Sequence, residues 1–236
     1  MTGKSSSDEI KSRLEEINAQ IAAAAAKCGK TADDIILLAA TKTVDADRIN
    51  EAVKAGVKYV AENRVQELIA KHTLIDGAAH QHFIGHLQTN KVKDVVGKVE
   101  LIHSVHSIKL ASEISKQAQK ANVEVNVLIE VNVGCEESKS GFAPSEVCDA
   151  VVQIAALPGI KVMGLMAIPP VCENAEQNRP YFRQMYKLFV DIGAKNIDNS
   201  NMVYLSMGMS DDFAVAIEEG ANIVRIGSAI FGKRQY

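Results

Sequence analysis

The chain has 236 residues, 47% of them hydrophobic, which is enough to bury one large core. A formal net charge of −3 excludes a surface built for nucleic acid or anionic membrane, which needs clustered Lys and Arg, but leaves room for a small anion at a local site. No stretch has membrane-span length, and Cys28, Cys135, Cys148 and Cys172 lie far apart without a secretory leader or an Arg-rich transit segment, so reduced thiols in a cytoplasmic protein are expected.

Residues 1–6 are expected to be disordered. Ser6 and Glu9 then have the spacing of a capping box, and Ile10, Leu14, Ile17 and Ile21 recur at helical intervals until Gly29 supplies a stop. An amphipathic helix therefore precedes the first strand. That strand is the apolar run from Ile35 into Ala40, Thr41 and Lys42, continuous as in a strand buried on both faces of a parallel sheet. An ammonium group at such an end is costly unless it is paired or loses its proton, and a partly desolvated amine is a nucleophile able to form an imine with an aldehyde. On this stretch alone, a lysine that simply reaches out to water is the competing reading.

The pattern then repeats. A polar helix from about Asp45, with Ile49, Ala52 and Val53 inward, ends near Gly56, and a strand over Val57–Glu62 leads to a helix through Val65, Leu68 and Ile69. His82–Ile84 is a third strand, with a helix carrying Val92, Val95 and Val96 behind it. Val99–Ser104 is a fourth, followed by a helix from Ser107 to Ala121. Val123–Val133 is strongly β-branched, and Pro144 is placed to open the next helix. Strands over Ile160–Ala167, Met202–Ser206 and Asn222–Ile226 alternate with helices over Arg179–Ile192 and Asp211–Glu219.

Eight such alternations, with no Pro/Gly/Ser-rich linker, predict an α/β fold: a single-domain (β/α)8 barrel of TIM type over residues 1–236, preceded by a helix. The Gly-x-Gly-x-x-Gly turn of a dinucleotide-binding sheet is missing after the first strand. In a barrel every strand's C-terminal end faces one side, where the chemistry sits. Lys42, Asn63, Arg64, His86, Ser104, Asn132, Met166, Ser206 and Arg225 are expected there.

The last two ends suit an anion. Ser206-Met207-Gly208-Met209-Ser210 opens onto a helix, and Arg225-Ile226-Gly227-Ser228 leaves the eighth strand as a second glycine turn. Turns after strands seven and eight are the usual phosphate site of these barrels, where backbone N–H groups supply the positive potential. A phosphate site facing a buried amine suggests pyridoxal 5′-phosphate. Arg225 can then face the pyridine nitrogen, disfavouring its protonation and weakening the ring as an electron sink; a structural ion pair is the alternative. His80, His82 and His86 invite a metal reading but lack a carboxylate or thiol partner at fitting spacing, so no metal is expected. His103 and His106 are expected to be satisfied by hydrogen bonds near a strand end.

The segments Ala-Thr-Lys-Thr (40–43), Glu-Asn-Arg-Val-Gln-Glu (62–67), His-Phe-Ile-Gly-His-Leu-Gln-Thr-Asn-Lys (82–91), Lys-Ser-Gly-Phe (139–142), Gly-Leu-Met-Ala (164–167), Ser-Met-Gly-Met-Ser (206–210) and Arg-Ile-Gly-Ser-Ala-Ile-Phe-Gly (225–232) resemble the pyridoxal phosphate homeostasis proteins, single-domain relatives of the alanine racemase barrel. The resemblance spans residues 35–232. It implies Lys42 as the imine lysine, Ser206, Gly227 and Ser228 as phosphate ligands, Arg225 at the pyridine nitrogen, and Asn63 and Met166 lining the pocket. Ala61, Gln81 and Ser228 depart from the family pattern, where glycine, an aromatic and threonine are common.

Two functions compete. A carrier or buffer would hold the aldehyde on Lys42 and release it to apo-enzymes, whereas a racemase or related enzyme would need an acid/base group on each face of the substrate carbon. Ending at Tyr236, the chain leaves little length for the second domain that supplies such a group in alanine racemase, which favours the carrier. A monomer or weak homodimer is expected, without nucleic-acid or membrane partners. A barrel that holds a phosphorylated sugar without an imine would differ in being colourless.

Overall fold

A computed structural model describes residues 6–232. Eight parallel strands close on themselves in sequence order: β1 (Ile36–Ala40), β2 (Tyr59–Glu62), β3 (His80–Phe83), β4 (Leu101–Val105), β5 (Val125–Val131), β6 (Ile160–Ala167), β7 (Ser200–Ser206) and β8 (Ile223–Ile226). Closure pairs β1 with β8 in parallel, bringing Leu38 beside Arg225 and Ala39 beside Ile226.

The outer ring comprises α1 (Ser6–Lys27), α2 (Ala46–Lys54), α3 (Val65–Lys71), α4 (Ile108–Ala121), α5 (Val147–Ala155), α6 (Arg179–Gly193), α7 (Phe213–Glu218) and α8 (Ser228–Phe231). In α1, Ile10, Leu14, Ile17 and Ile21 are all buried, as their spacing predicts. They seat α1 against α2, α7 and α8, so it covers the seam that the short α8 leaves open. Each such burial contributes on the order of 2 kcal/mol. The capping box expected at Ser6 involves a side chain outside the described residues.

Asp45 caps α2 by accepting from Arg48 N–H at 2.9 Å, and Ser107 caps α4 by accepting from Leu110 N–H at 3.2 Å. Two expectations are corrected. Val92 and its neighbours lie on a 3-10 turn over Thr89–Asp94, because a segment this short, with β-branched residues, is too small to nucleate an α-helix. Pro144 sits in a turn in which Glu146 N–H donates to Ala143 O at 2.8 Å, and α5 starts only at Val147. Ile69 is 49% exposed, leaving Val65 and Leu68 as the inward residues of α3.

Two cores result. The larger lies between strands and helices; the smaller fills the barrel with Leu38, Ala61, Ile84, Leu101, Leu128, Met166 and Ile223. Alternation along the strands turns several polar residues into that same interior, and they set up the site.

Candidate functional site

Strand β1 ends at Ala40, two residues before Lys42, so the lysine stands in a turn and not at the strand tip. The turn is tightly held. Thr41, fully buried, donates its hydroxyl to Glu62 Oε1 at 2.6 Å, and Lys71 Nζ reaches Thr41 O at 3.1 Å, Glu62 Oε1 at 2.9 Å and Glu67 Oε2 at 2.7 Å. Thr43 has φ +64°, a left-handed conformation that strains a β-branched residue by on the order of 1–3 kcal/mol. Its N–H donates to Glu67 Oε2 at 2.7 Å, which fixes it there. Lys42 itself is half-buried.

Across the β1/β8 seam stands the turn at 227–228. Lys42, Gly227 and Ser228 line one cleft of about 450 Å³, together with Ala40, Arg48 and Phe231. Residue 227 packs closely on β1, since a Cβ there would lie 3.1 Å from Ala40 O and 3.4 Å from Ala40 Cβ. The turn after β7 approaches the same place. Ser228 Oγ lies 3.3 Å from Ser210 Oγ, while Asp212 secures the turn by accepting from Met209 N–H at 2.7 Å and Asn178 Nδ2 at 2.9 Å. Arg225 N–H donates to Gly208 O at 3.0 Å, tying the two turns together.

Ser206 lies elsewhere. Its hydroxyl is fully buried inside the barrel, accepting from Arg225 Nη1 at 2.8 Å and lying 3.0 Å from His103 Nδ1. Strand alternation directs this side chain inward, and Ser210, four residues on, carries the hydroxyl that lies beside Ser228. Arg225 is 5% exposed, its other arm donating to Ala167 O at 2.9 Å, and burial lowers its pKa to about 10.

On the remaining strand ends, Asn63 Oδ1 and Glu130 Oε2 are buried without a hydrogen-bond partner among the described residues. Met166 is buried beside Glu130 and Ser206 in the strand register. His86 and His106 stack with centroids 4.4 Å apart, Ser140 Oγ lies 3.1 Å from His86 Nδ1, and His106 Nδ1 stands 4.0 Å from Glu130 Oε2. His80 instead pairs with Glu100 at 2.9 Å, and His82 lies inside the barrel, so the three spaced histidines do not converge. Among the described residues, no group of His, Cys, Asp and Glu could hold a metal, and no helix is long and apolar enough to cross a membrane.

Residues 12–235 match the model of the alanine racemase N-terminal domain. A pyridoxal phosphate homeostasis protein of Aquifex aeolicus (strain VF5) is 48% identical over 225 residues, covering 95% of this chain and 98% of its own. This chain belongs to the pyridoxal phosphate homeostasis protein family. Among solved structures, a protein of unknown function from Bifidobacterium adolescentis superposes with TM-score 0.92 at 37% identity, covering 98% of each chain. PipY of Synechococcus elongatus PCC7942, in a structure with PLP bound, superposes with TM-score 0.82 at 28% identity, covering 94% of this chain and all of that one.

Of this member's departures from the family pattern, Gln81 has a local cause. Its amide and His72 bond to each other twice, Gln81 Nε2 to His72 O and His72 Nδ1 to Gln81 Oε1, each at 3.1 Å. Ala61 is buried in the barrel interior.

Glu130 gives a pH signature. Burial raises its carboxyl from 4.5 to about 7, with Arg225 pulling the other way. Between those values the folded protein binds more protons than the unfolded chain, so Glu130 makes folding less favourable as pH rises, by on the order of 3 kcal/mol once it is ionised in both states. Glu130→Gln is accordingly expected to stabilise the protein by about 1–2 kcal/mol at pH 8 and by little at pH 5. Urea unfolding at the two pH values checks this; a difference independent of pH would refute it.

Proposed function

We propose that this chain binds pyridoxal 5′-phosphate on Lys42 and serves in homeostasis of that cofactor, holding it reversibly and yielding it to apo-enzymes without turning over a substrate. The observation that carries the reading is the shared cleft: an amine after β1 and a hydroxyl-bearing glycine turn after β8 open into one space. The names of the relatives and the PLP in the PipY structure support it.

The residues present fit the cofactor. Asn63 Oδ1, buried without a partner among the described residues, is an acceptor that awaits a ligand, and the Ser210–Ser228 hydroxyl pair is a cradle of phosphate chemistry. The cofactor supplies an aldehyde that an unprotonated lysine amine captures with loss of water. Lys42 provides that amine, and the Thr41–Thr43 turn, clamped by Glu67 and Lys71, directs it. Gly227, Ser228 and Ser210, with the first N–H groups of α8, hold the phosphate. Arg225 would meet the ring nitrogen and disfavour its protonation, which weakens the ring as an electron sink. Met166 and Asn63 would line the pocket.

Titration with pyridoxal 5′-phosphate, borohydride reduction and peptide mapping test the reading. A visible band that becomes a permanent adduct on Lys42 is expected; a preparation that stays colourless when given the cofactor would overturn it. Robust racemisation, transamination or decarboxylation of any common amino acid by the loaded protein would replace the carrier with an enzyme. The double variant Ser210→Ala/Ser228→Ala is expected to weaken binding roughly 10–100-fold, since two hydrogen bonds worth a net of about 0.5–1.5 kcal/mol each in water are lost, while leaving thermal stability nearly unchanged. Binding of unphosphorylated pyridoxal by the same variant should match the parent protein.

A further inference from the structure

Inside the barrel a line of polar side chains from four strands runs away from the cleft. Arg225 Nη1 donates to Ser206 Oγ at 2.8 Å, Ser206 Oγ lies 3.0 Å from His103 Nδ1, and His103 Nε2 lies 3.0 Å from His82 Nδ1. None of the four is more than 5% exposed. Such a line is costly to bury with unmet groups, and only one arrangement of protons gives the Ser206 hydroxyl an acceptor within it.

A guanidinium can only donate, so Ser206 Oγ must accept from Arg225. The hydroxyl carries one proton, and His103 Nδ1 is its only other side-chain neighbour among the described hydrogen bonds. Burial holds both imidazoles neutral, with His82 lowered to about 3 and His103 well below its ordinary value, so each ring has a single N–H. If Ser206 donates to His103 Nδ1, the His103 proton sits on Nε2 and donates to His82 Nδ1, and the His82 proton sits on its own Nε2. The reverse order would leave the Ser206 proton without an acceptor in the line, at about 1–3 kcal/mol.

We propose that His103, backed by His82, is the positioning residue for Arg225: as the neutral Nε2–H tautomer it takes the Ser206 proton and so turns the Ser206 lone pairs onto the guanidinium. The inference rests on the reading that Arg225 meets the ring nitrogen of the cofactor, because fixing the guanidinium then sets the electronic state of the ring. Other charges act on the same line: Glu130 from β5 and Asp212 after β7 bear on Arg225, and His80 bears on His82, whose ring also meets the edge of Tyr59 with centroids 5.6 Å apart.

Nitrogen-15 NMR of the histidine rings in the full chain without added cofactor reads the tautomers directly. His103 and His82 should both be neutral Nε2–H rings, invariant from pH 6 to 8; a His103 proton on Nδ1, or a ring titrating in that range, would overturn the proposal. The second arm measures pyridoxal 5′-phosphate affinity and the absorption maximum of the bound cofactor. His103→Leu and Ser206→Ala, each confirmed as folded by circular dichroism, should lose roughly tenfold or more in affinity and shift the visible band, as changes to a supporting shell do. His103→Asn keeps an acceptor near the Nδ1 position and should stay within about threefold of the parent, with its band in place. Equal losses in the folded Asn and Leu variants would refute the positioning role. If His103→Leu does not fold, Ser206→Ala and the tautomers decide. A parent protein that takes up no cofactor would refute the proposed function while the tautomer result still stands or falls by itself.

Discussion

Replacing Lys42 with alanine is expected to abolish the coloured, borohydride-trappable complex with pyridoxal 5′-phosphate and to lower affinity for the cofactor by at least 100-fold, leaving a weak phosphate-directed association. The size of the effect follows from what remains. Without the amine there is no bond to the aldehyde, and the Ser210, Gly227 and Ser228 cradle retains only hydrogen bonds to a well-hydrated anion, which is a modest net gain in water. The half-buried Lys42 side chain leaves the tight turn at its backbone, so thermal stability should change by less than about 1 kcal/mol. Lys42→Arg keeps the charge and stem but supplies no nucleophile at neutral pH, and should behave like the alanine variant in the trapping assay. A Lys42→Ala protein that still forms a reducible adduct would move the chemistry to another lysine and dismantle the site described above.

Gly85→Ala should destabilise the protein strongly. A Cβ at residue 85 would lie 1.9 Å from Asn63 O, 2.5 Å from Asn63 C and 2.7 Å from Asn63 Cα, all of them backbone atoms that no rotamer can move away. Gly85 O also accepts from Ser104 Oγ at 2.6 Å, so the segment is anchored on its other side. A cost of more than about 3 kcal/mol is expected, seen as a fall in melting temperature on the order of 10 °C. Any folded fraction should bind cofactor poorly, because relief of the clash displaces Asn63. Gly77→Ala, where a Cβ meets nothing within 4 Å, is the control and should be nearly neutral. Equal melting temperatures for the two variants would mean that the approach of residue 85 to the Asn63 backbone is wrong.

Much of the architecture was legible because local pattern and tertiary environment agree. The run from Ile35 to Ala40 is apolar on both faces because helices cover one side of the sheet and the barrel core the other, and the strand over Ile160–Ala167 was readable for the same reason. The segment Thr89–Asp94 is a 3-10 turn where the spacing of Val92, Val95 and Val96 predicts a helix, because periodicity cannot separate a 3-10 turn from an α turn over so few residues. Glu130 went unnoticed altogether. In sequence it is one acid in a β-branched run, and only the burial of its inward side chain gives it a raised pKa.

A lysine just past the first strand, glycine turns after the last two, and eight alternations that fit a barrel are written in short-range periodicity and in residues with restricted backbone choices. Which serine of the Ser206–Ser210 motif turns into the barrel, that His82 and His103 line up behind Arg225, and that Thr43 is held in a strained conformation by Glu67 depend on how the strands close. Those contacts join residues up to 103 positions apart. They arise from the tilt and closure of the barrel, which no local propensity encodes.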